Sequence, residues 1–470
     1  MSRFGLVRPE AIRLQHIKKK LFMEKNHYSL DKIKLNRWLN IRKTTLDQLN
    51  IDLKKKLNFQ ISLDNCHDLD GYTIKIISDY LEISVDKIRK KNSTPEFLYC
   101  SKNDIYKTKR PITKDGIHFY NYYTLPTPKG YVAPVLLDIM CPKNKLPRLN
   151  NGHLEPAITI SMGPGDIYAR FGEKLQKDTW KKFKINPDPK TNWIVGSSYF
   201  EPSLCKHSYS RTTDKLGRII SYTTKSNIEE LLNDKLNDNS YKNLLNKNKN
   251  KNINRTLLKL EIETKGYSIK SISKKIKLPL KKIINYFENP SSSLEKKYIT
   301  KICNLINSDS SLFLDRKHKE DSVGKLYFDY KESVKSIRNF KSYSVASIAN
   351  SKRFPDLSGY FMKVSNKKKI FLNDIFDSKC SHYFVTKGEM KVHIKSENKK
   401  ITKDIKEGDC LWISGFTYHG FTGDGALLKI SDGQNINYLE KKDLINTYNL
   451  NNVLKRTRGD MQNWGYDKKN

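Results

Sequence analysis

The sequence predicts an α+β chain in which a helical module and an antiparallel β-barrel follow one another twice. Three observations predict it: two stretches with apolar residues at helical spacing, a strand-rich segment after each, and a polar linker between the halves.

The first helical stretch runs from Lys34 to about Ile88, through KLNRWLNIRKTTLDQLN and YTIKIISDYLEISVDKI. The second runs from Ile253 to about Asp315. There Ile269, Ile272, Ile276 and Leu278 keep close to a 3–4 spacing, and Pro279 falls near the start of the next helix. Ile283, Ile284 and Phe287 continue the apolar face. Helix, short turn and helix of this size predict a helix-turn-helix-like module. From about Phe97 to Thr224 the segments GYVAPVLLDIMC, PAITISMG, DIYARFG, WIVGSSYFEP and GRIISYTT read as short strands between glycine and proline turns. From about Asp321 to Gln434, YFMKVS, HYFVTKGEMKVHI, GDCLWISGFTYHGF and ALLKISDG read the same way. Short strands with regular turns argue for an antiparallel barrel or sandwich over a βαβ sheet. The expected division is a helical module over 1–95, a barrel over 96–225 and a polar linker over 226–254. A second helical module over 255–318 and a second barrel with a C-terminal tail over 319–470 complete it.

Composition bounds the function. A length of 470 residues exceeds one ordinary domain, and 37% hydrophobic with 11% aromatic residues is enough for real cores, which excludes a disordered chain. No window approaches about eighteen uninterrupted apolar residues, so no membrane span is expected. The N-terminus lacks an apolar core followed by small residues and does not read as a secretory signal. Seven cysteines without a CxxC pair fit reduced thiols in a cytoplasm. The formal charge of +38 raises nucleic acid as a partner. That charge is mostly lysine, spread along the chain among asparagine and isoleucine, where a nucleic-acid footprint would be clustered.

His153 lies directly after a turn, in NNGHLEPAIT, and Glu201 precedes His207 by six residues in YFEPSLCKHSYS. Two histidines and one carboxylate are the ligand set of non-haem iron(II) oxygenases, which keep other coordination positions open. A straight strand would hold Glu201 and His207 about 20 Å apart, at roughly 3.3 Å per residue. The metal reading therefore requires a bend at PSLCK. The plainer readings are a turn or surface histidine, a carboxylate at a strand end and a histidine packed against tyrosines. Spacing alone leaves the choice open. The second strand-rich segment offers His382, His393, His419 and Glu389 without any comparable block.

The stretches KDGIHFYNYYTLPTP, NNGHLEPAITISMGPGDI and YFEPSLCKHSYS resemble the hydroxyethylphosphonate dioxygenase and methylphosphonate synthase family, and LNRWLNIRKTT resembles that family's N-terminal module. The resemblance implies cupin barrels, with His153, Glu201 and His207 as ligands of Fe(II). It makes Asn150, Tyr122 and Ser221 contacts of a substrate phosphonate. Lys43 becomes a lysine reaching the active site, so that Lys43 and Tyr122 take part in catalysis. Lys114 stands where the family's dioxygenases carry an arginine; the charge is kept, but a lysine lacks the planar two-pronged contact. The methylphosphonate synthases look as if they place a glutamine ligand four residues after the first histidine. Ala157 stands there here, which points to the dioxygenase.

The implied reaction is cleavage of 2-hydroxyethylphosphonate by O2 to hydroxymethylphosphonate and formate, without 2-oxoglutarate or an external reductant. The second barrel is expected to be metal-free. The partners are then a small phosphonate and O2, with no membrane and no nucleic acid. A homo-oligomer follows if the helical modules close a neighbouring site. Methylphosphonate synthesis on the same substrate is the alternative within the family. A DNA-binding regulator with a sensory cupin is the alternative from another class; Lys281, Lys282 and Asn285 would read bases, beside Ile283, Ile284 and Phe287, which look buried.

Overall fold

The computed structural model describes residues 27–57, 60–62, 69–90, 95–143, 145–172, 180–188, 193–223, 252–314, 326–351, 357–366, 370–396 and 399–431, with a few helical positions at 239–246 and 442–446. The linker expected over 226–254 and the tail beyond 431 lie mostly outside these residues. The chain divides into two compact units, Met1–Thr94 with Ile436–Asn470, and Pro95–Asn435. Among the described residues no helix is long and apolar enough to cross a membrane.

In the first unit, helices Lys32–Ile41, Leu46–Leu53 and Gly71–Tyr80 are capped by the side chains of Asp31, Thr45 and Asp70, which accept from backbone N–H groups of the first turn. They bury Leu35, Leu39, Leu49, Leu53, Ile74 and Ile77 in one core. Lys43 is exposed in the turn after the first helix, with φ of 53°.

The second unit holds the large sheets and, besides two six-residue helices, the longer helices Ile253–Thr264, Ile269–Ile276, Leu280–Glu288 and Lys296–Leu305. Ile272, Ile276, Leu278, Ile283 and Phe287 share their core as the spacing predicts. Ile284 does not: it is 38% exposed, because a step of about 100° per residue turns it away from the face that Ile283 and Phe287 share.

The first set of strands forms a seven-stranded antiparallel sheet. Its order is Leu326–Phe328, Ser198–Glu201, Ala157–Ser161, Gly217–Thr223, Val135–Ile139, Ile117–Thr124 and Arg110–Lys114. A three-stranded sheet, His207–Arg211, Ile167–Phe171 and Trp180–Phe183, accompanies it. Leu137, Ile139, Ile167, Ala169, Phe171, Phe183, Tyr199 and Ile219 form the core between them. The Ala157 strand is buried at all five positions. Its odd residues share a face with Tyr199, Glu201 and Ser221, while Ile158 and Ile160 face the opposite way with Phe200, Ile220 and Tyr222.

That opposite face packs on the second large sheet, through Phe361, Phe384, Leu428 and Ile430. The second sheet contains Ser358–Asn366, Ser381–Lys395, Cys410–Ile413 and Tyr418–Ser431. Each sheet takes an edge strand from the other half of the sequence. Phe97–Cys100 pairs with Cys410–Ile413, and Leu326–Phe328 pairs with Ser198–Glu201.

His382 links the two sheets. It is buried, its Nδ1 lies 3.1 Å from the Tyr222 hydroxyl, and its Nε2 lies 2.7 Å from the Pro126 carbonyl oxygen. His419 is also buried, 2.6 Å from the Tyr383 hydroxyl and 2.8 Å from the Thr417 carbonyl oxygen. Burial pushes His382 down to about 3 and His419 down to about 4. Both values lie below the roughly 6.5 of an unfolded histidine, so the native state binds fewer protons than the unfolded state. The stability the neutral imidazoles contribute is complete above about pH 6.5 and lost as pH falls towards 4, at roughly 1 kcal/mol per pH unit per histidine. Urea midpoints measured from pH 7 to pH 5 should fall steeply, and His382→Gln should flatten that slope.

Candidate metal centre

The three candidate ligands meet. His153 Nε2 lies 3.7 Å from Glu201 Oε1, His207 Nδ1 lies 3.4 Å from Glu201 Oε2, and the two imidazole centroids are 5.3 Å apart. Among the described residues they are the one group of three or more His, Cys, Asp or Glu with ligand atoms all within 4.8 Å.

The bend that the metal reading needs is present. Glu201 ends a strand of the seven-stranded sheet, His207 begins a strand of the three-stranded one, and Leu204 turns between them with φ of 60°. The loop carrying His153 lies against that turn, where Leu204 N–H donates to the His153 carbonyl at 2.6 Å. Gly152, with φ of +75°, allows the approach: a Cβ there would stand 2.6 Å from the Leu204 carbonyl carbon.

Asn150 fastens the two ligand loops. Its backbone N–H donates to the His207 carbonyl at 2.9 Å, its Oδ1 accepts from the N–H groups of His207 and Gly152 at 2.9 Å each, and its Nδ2 lies 2.8 Å from His207 Nε2. The loop is also held at Pro147, whose carbonyl accepts from the buried Arg170 guanidinium at 2.9 Å and from Ser208 Oγ at 3.3 Å. Beneath the site Phe171 stacks on Tyr199 at 3.6 Å, and Tyr209 stands 5.5 Å from the His207 ring.

Glu201 carries the electrostatic argument. It is fully buried, and neither of its oxygens accepts a hydrogen bond among the described residues. A carboxylate taken out of water without partners costs several kcal/mol unless a cation compensates it. Among the described residues the only cation-forming groups against it are the two imidazoles. Burial pushes His153 down, but the Glu201 carboxylate and then Glu155 outweigh it, so the ring titrates above its ordinary value. This buried anion between two imidazoles fits a divalent cation, and the imidazole and carboxylate donors suit iron.

A cavity of about 470 Å³ opens beside His207, lined among others by Lys114, Tyr122, Arg148, Asn150 and Tyr209. Lys114, Tyr122 and Asn150, separated in sequence, are thus brought to one pocket with a candidate ligand. The Tyr122 hydroxyl has no hydrogen-bond partner among the described residues, and burial pushes its phenol up, so it stays a donor at neutral pH. Ser221 shares the inward face with Thr159 but does not line that cavity. Lys43 belongs to the other compact unit.

Arg148, Arg170 and Tyr209 escaped the sequence reading; only Arg148, two residues before Asn150 in PRLNNGH, carried a local signal. In the second sheet His382 and His419 have the hydrogen bonds given above, and His393 contacts the hydroxyls of Thr402 and Thr422 at 3.0 and 2.8 Å. With Glu389 they form no ligand cluster among the described residues.

Since Gly152 sets how closely the His153 loop approaches Leu204, Gly152→Ala should lower the affinity for iron(II) by about 10- to 100-fold, the range for groups that orient ligands. Anaerobic metal titration checks this; wild-type affinity in the variant would show that the loop contact does not position His153.

Residues 106–224 match the family model described as the 2-hydroxyethylphosphonate dioxygenase cupin-like domain. A 2-hydroxyethylphosphonate dioxygenase of Streptomyces viridochromogenes is 32% identical over 450 residues, covering 93% of this chain and 99% of that protein. Among solved structures, PhpD with cadmium and hydroethylphosphonate superposes with a TM-score of 0.74 at 31% identity, over 92% of this chain and 100% of that one. The Streptomyces albus enzyme, solved with 2-hydroxyethylphosphonate and Fe(II), shares the fold with a TM-score of 0.68 at 13% identity, over 92% and 98% of the two chains. With a barrel that matches the cupin-like model and a relative aligned over nearly its whole length, the chain belongs to the 2-hydroxyethylphosphonate dioxygenase family.

Proposed function

We propose that this protein is an iron(II)-dependent dioxygenase that cleaves the carbon–carbon bond of 2-hydroxyethylphosphonate to give hydroxymethylphosphonate and formate. One observation carries the reading beyond family membership. Ala157 is the direct cross-strand partner of Glu201, on the same face of the sheet. A long side chain at 157 would enter the space beside the carboxylate, and the methyl group there leaves Glu201 as the anionic donor. This favours the dioxygenase over methylphosphonate synthesis, whose expected glutamine would occupy position 157.

His153, Glu201 and His207 would hold the metal. Iron(II), when bound, supplies the redox chemistry with dioxygen. Substrate and O2 together contain every atom of the two products, so neither 2-oxoglutarate nor an external reductant enters the balance. Lys114 supplies charge to the phosphonate and Tyr122 a directed O–H donor. Asn150 keeps His207 and the His153 loop in register and lines the pocket. Ser221 contributes a hydroxyl from the inward face. The resemblance makes Lys43 a further substrate contact. Exclusion of bulk water falls to the aromatic floor of Phe171, Tyr199 and Tyr209.

The helices Ile269–Ile276 and Leu280–Glu288, joined through the left-handed Lys277, support a helix-turn-helix-like module with a scaffolding role. The six described cysteines are free, which accords with a cytoplasmic location.

Phosphorus NMR tests the reading. The protein is loaded anaerobically with Fe(II), given 2-hydroxyethylphosphonate and exposed to air. Hydroxymethylphosphonate with one equivalent of formate is the expected outcome. Methylphosphonate would overturn the argument from Ala157 and Glu201, and unchanged substrate would overturn the activity.

A further inference from the structure

We propose that Arg148 is the residue that grips the phosphonate, taking over the two-pronged contact that Lys114 cannot make. The proposal deepens the reading above and rests on it.

Arg148 lines the cavity beside His207 together with Lys114, Tyr122 and Asn150. Its guanidinium forms no hydrogen bond or ion pair among the described residues, although it sits in a segment fastened on both sides. On one side the buried Arg170 and Ser208 hold the Pro147 carbonyl. On the other, Asn150 is bonded to the backbone of His207. Two residues of the strand that lines the cavity, His207 and Ser208, thus fix the backbone on either side of Arg148. A guanidinium so placed loses little backbone freedom on binding an anion, and its planar fork matches two phosphonate oxygens.

The charge balance favours the same residue. Lys114 is followed by Asp115, which lines the same cavity. Neither cation forms an ion pair among the described residues, but Asp115 is the direct chain neighbour of Lys114 and not of Arg148. A dianionic phosphonate would take the two-pronged contact from Arg148, while Lys114 and Tyr122 complete the shell. The sequence Arg148-Leu149-Asn150 puts the anion grip and the His207 clamp on one short segment, so the group that orients the substrate is fixed to the strand that begins with a metal ligand.

The test is calorimetric binding of 2-hydroxyethylphosphonate to the full chain loaded with Cd(II), which removes turnover from the measurement. Arg148→Gln should weaken binding by about 10- to 100-fold, as expected for losing a charge-assisted fork. Arg148→Lys should recover only part of the loss, and Lys114→Gln should cost less than Arg148→Gln. Arg148 is exposed, so the melting temperature of the variants should stay unchanged and report that folding is intact. Binding by Arg148→Gln within twofold of wild type would overturn the proposal. So would a larger loss in Lys114→Gln, which would make the lysine the principal anchor. A Cd(II)-loaded wild type that does not bind this phosphonate would instead overturn the substrate reading itself.

Discussion

Glu201 is fully buried, next to two imidazoles, and without a hydrogen bond to either oxygen among the described residues. Much of the first barrel can be read as the means of putting a charge there and leaving it unsatisfied by protein. The carboxylate ends a strand whose other residues are held in the sheet, the neighbouring position opposite it is an alanine, and the chain turns at once through a left-handed Leu204. Satisfying Glu201 with a serine or a backbone amide would have been cheaper for folding. What remains favours a cation, and the two imidazoles fix where it would sit.

The loops converge on that point through a few polar contacts. Asn150 makes hydrogen bonds to both the His207 backbone and the loop leading to His153, so it couples two ligands that are far apart in sequence. Gly152 permits the contact with Leu204 that a side chain would block. Arg170, buried behind the site, spends its guanidinium on the Pro147 carbonyl. The second sheet supports this arrangement from behind by closing the apolar face of Ile158, Ile160 and Ile220, and by satisfying the Tyr222 hydroxyl through His382. Thr386 Oγ1 and Trp412 Nε1 are also buried there without a partner, but the carboxylate, ammonium and imidazole groups have partners among the described residues: Asp377 is paired with Lys429, and His419 with Tyr383. Glu201 differs from them in this respect, which separates the candidate metal site from a merely polar interior.

Much of this was legible in the sequence. Strand alternation and turn residues located the inner strands of both large sheets, and the 3–4 spacing located the longer helices, because both depend on local periodicity; Arg110–Lys114, Ile117–Thr124 and Tyr343–Ser347 were not picked out as strands. Ile284 was misjudged because 3–4 spacing admits a neighbour that the helix rotates out of the core. The exchanged edge strands Phe97–Cys100 and Leu326–Phe328 left no local mark, since pairing partners more than a hundred residues apart are chosen by tertiary packing. At the site, residue types suggested His153, Glu201 and His207, but only the turn at Leu204 makes them neighbours. Asn150 was expected as a substrate contact, and its clamping of His207 could not be read without the fold. Arg170 was invisible for the same reason, while Arg148 had only its place beside Asn150 to mark it.

The central claim is that Glu201 is a buried carboxylate, flanked by two imidazoles, that a metal completes, and thermal melting of wild type and Glu201→Gln, each with and without anaerobic iron(II), tests it most directly. The account predicts that metal-free Glu201→Gln melts no lower than metal-free wild type, because the substitution removes a buried charge. It further predicts that iron(II) raises the melting point of wild type by several degrees and leaves that of Glu201→Gln unchanged. A metal-free variant much less stable than wild type, with a wild type indifferent to iron(II), would make Glu201 a structural carboxylate and contradict the account.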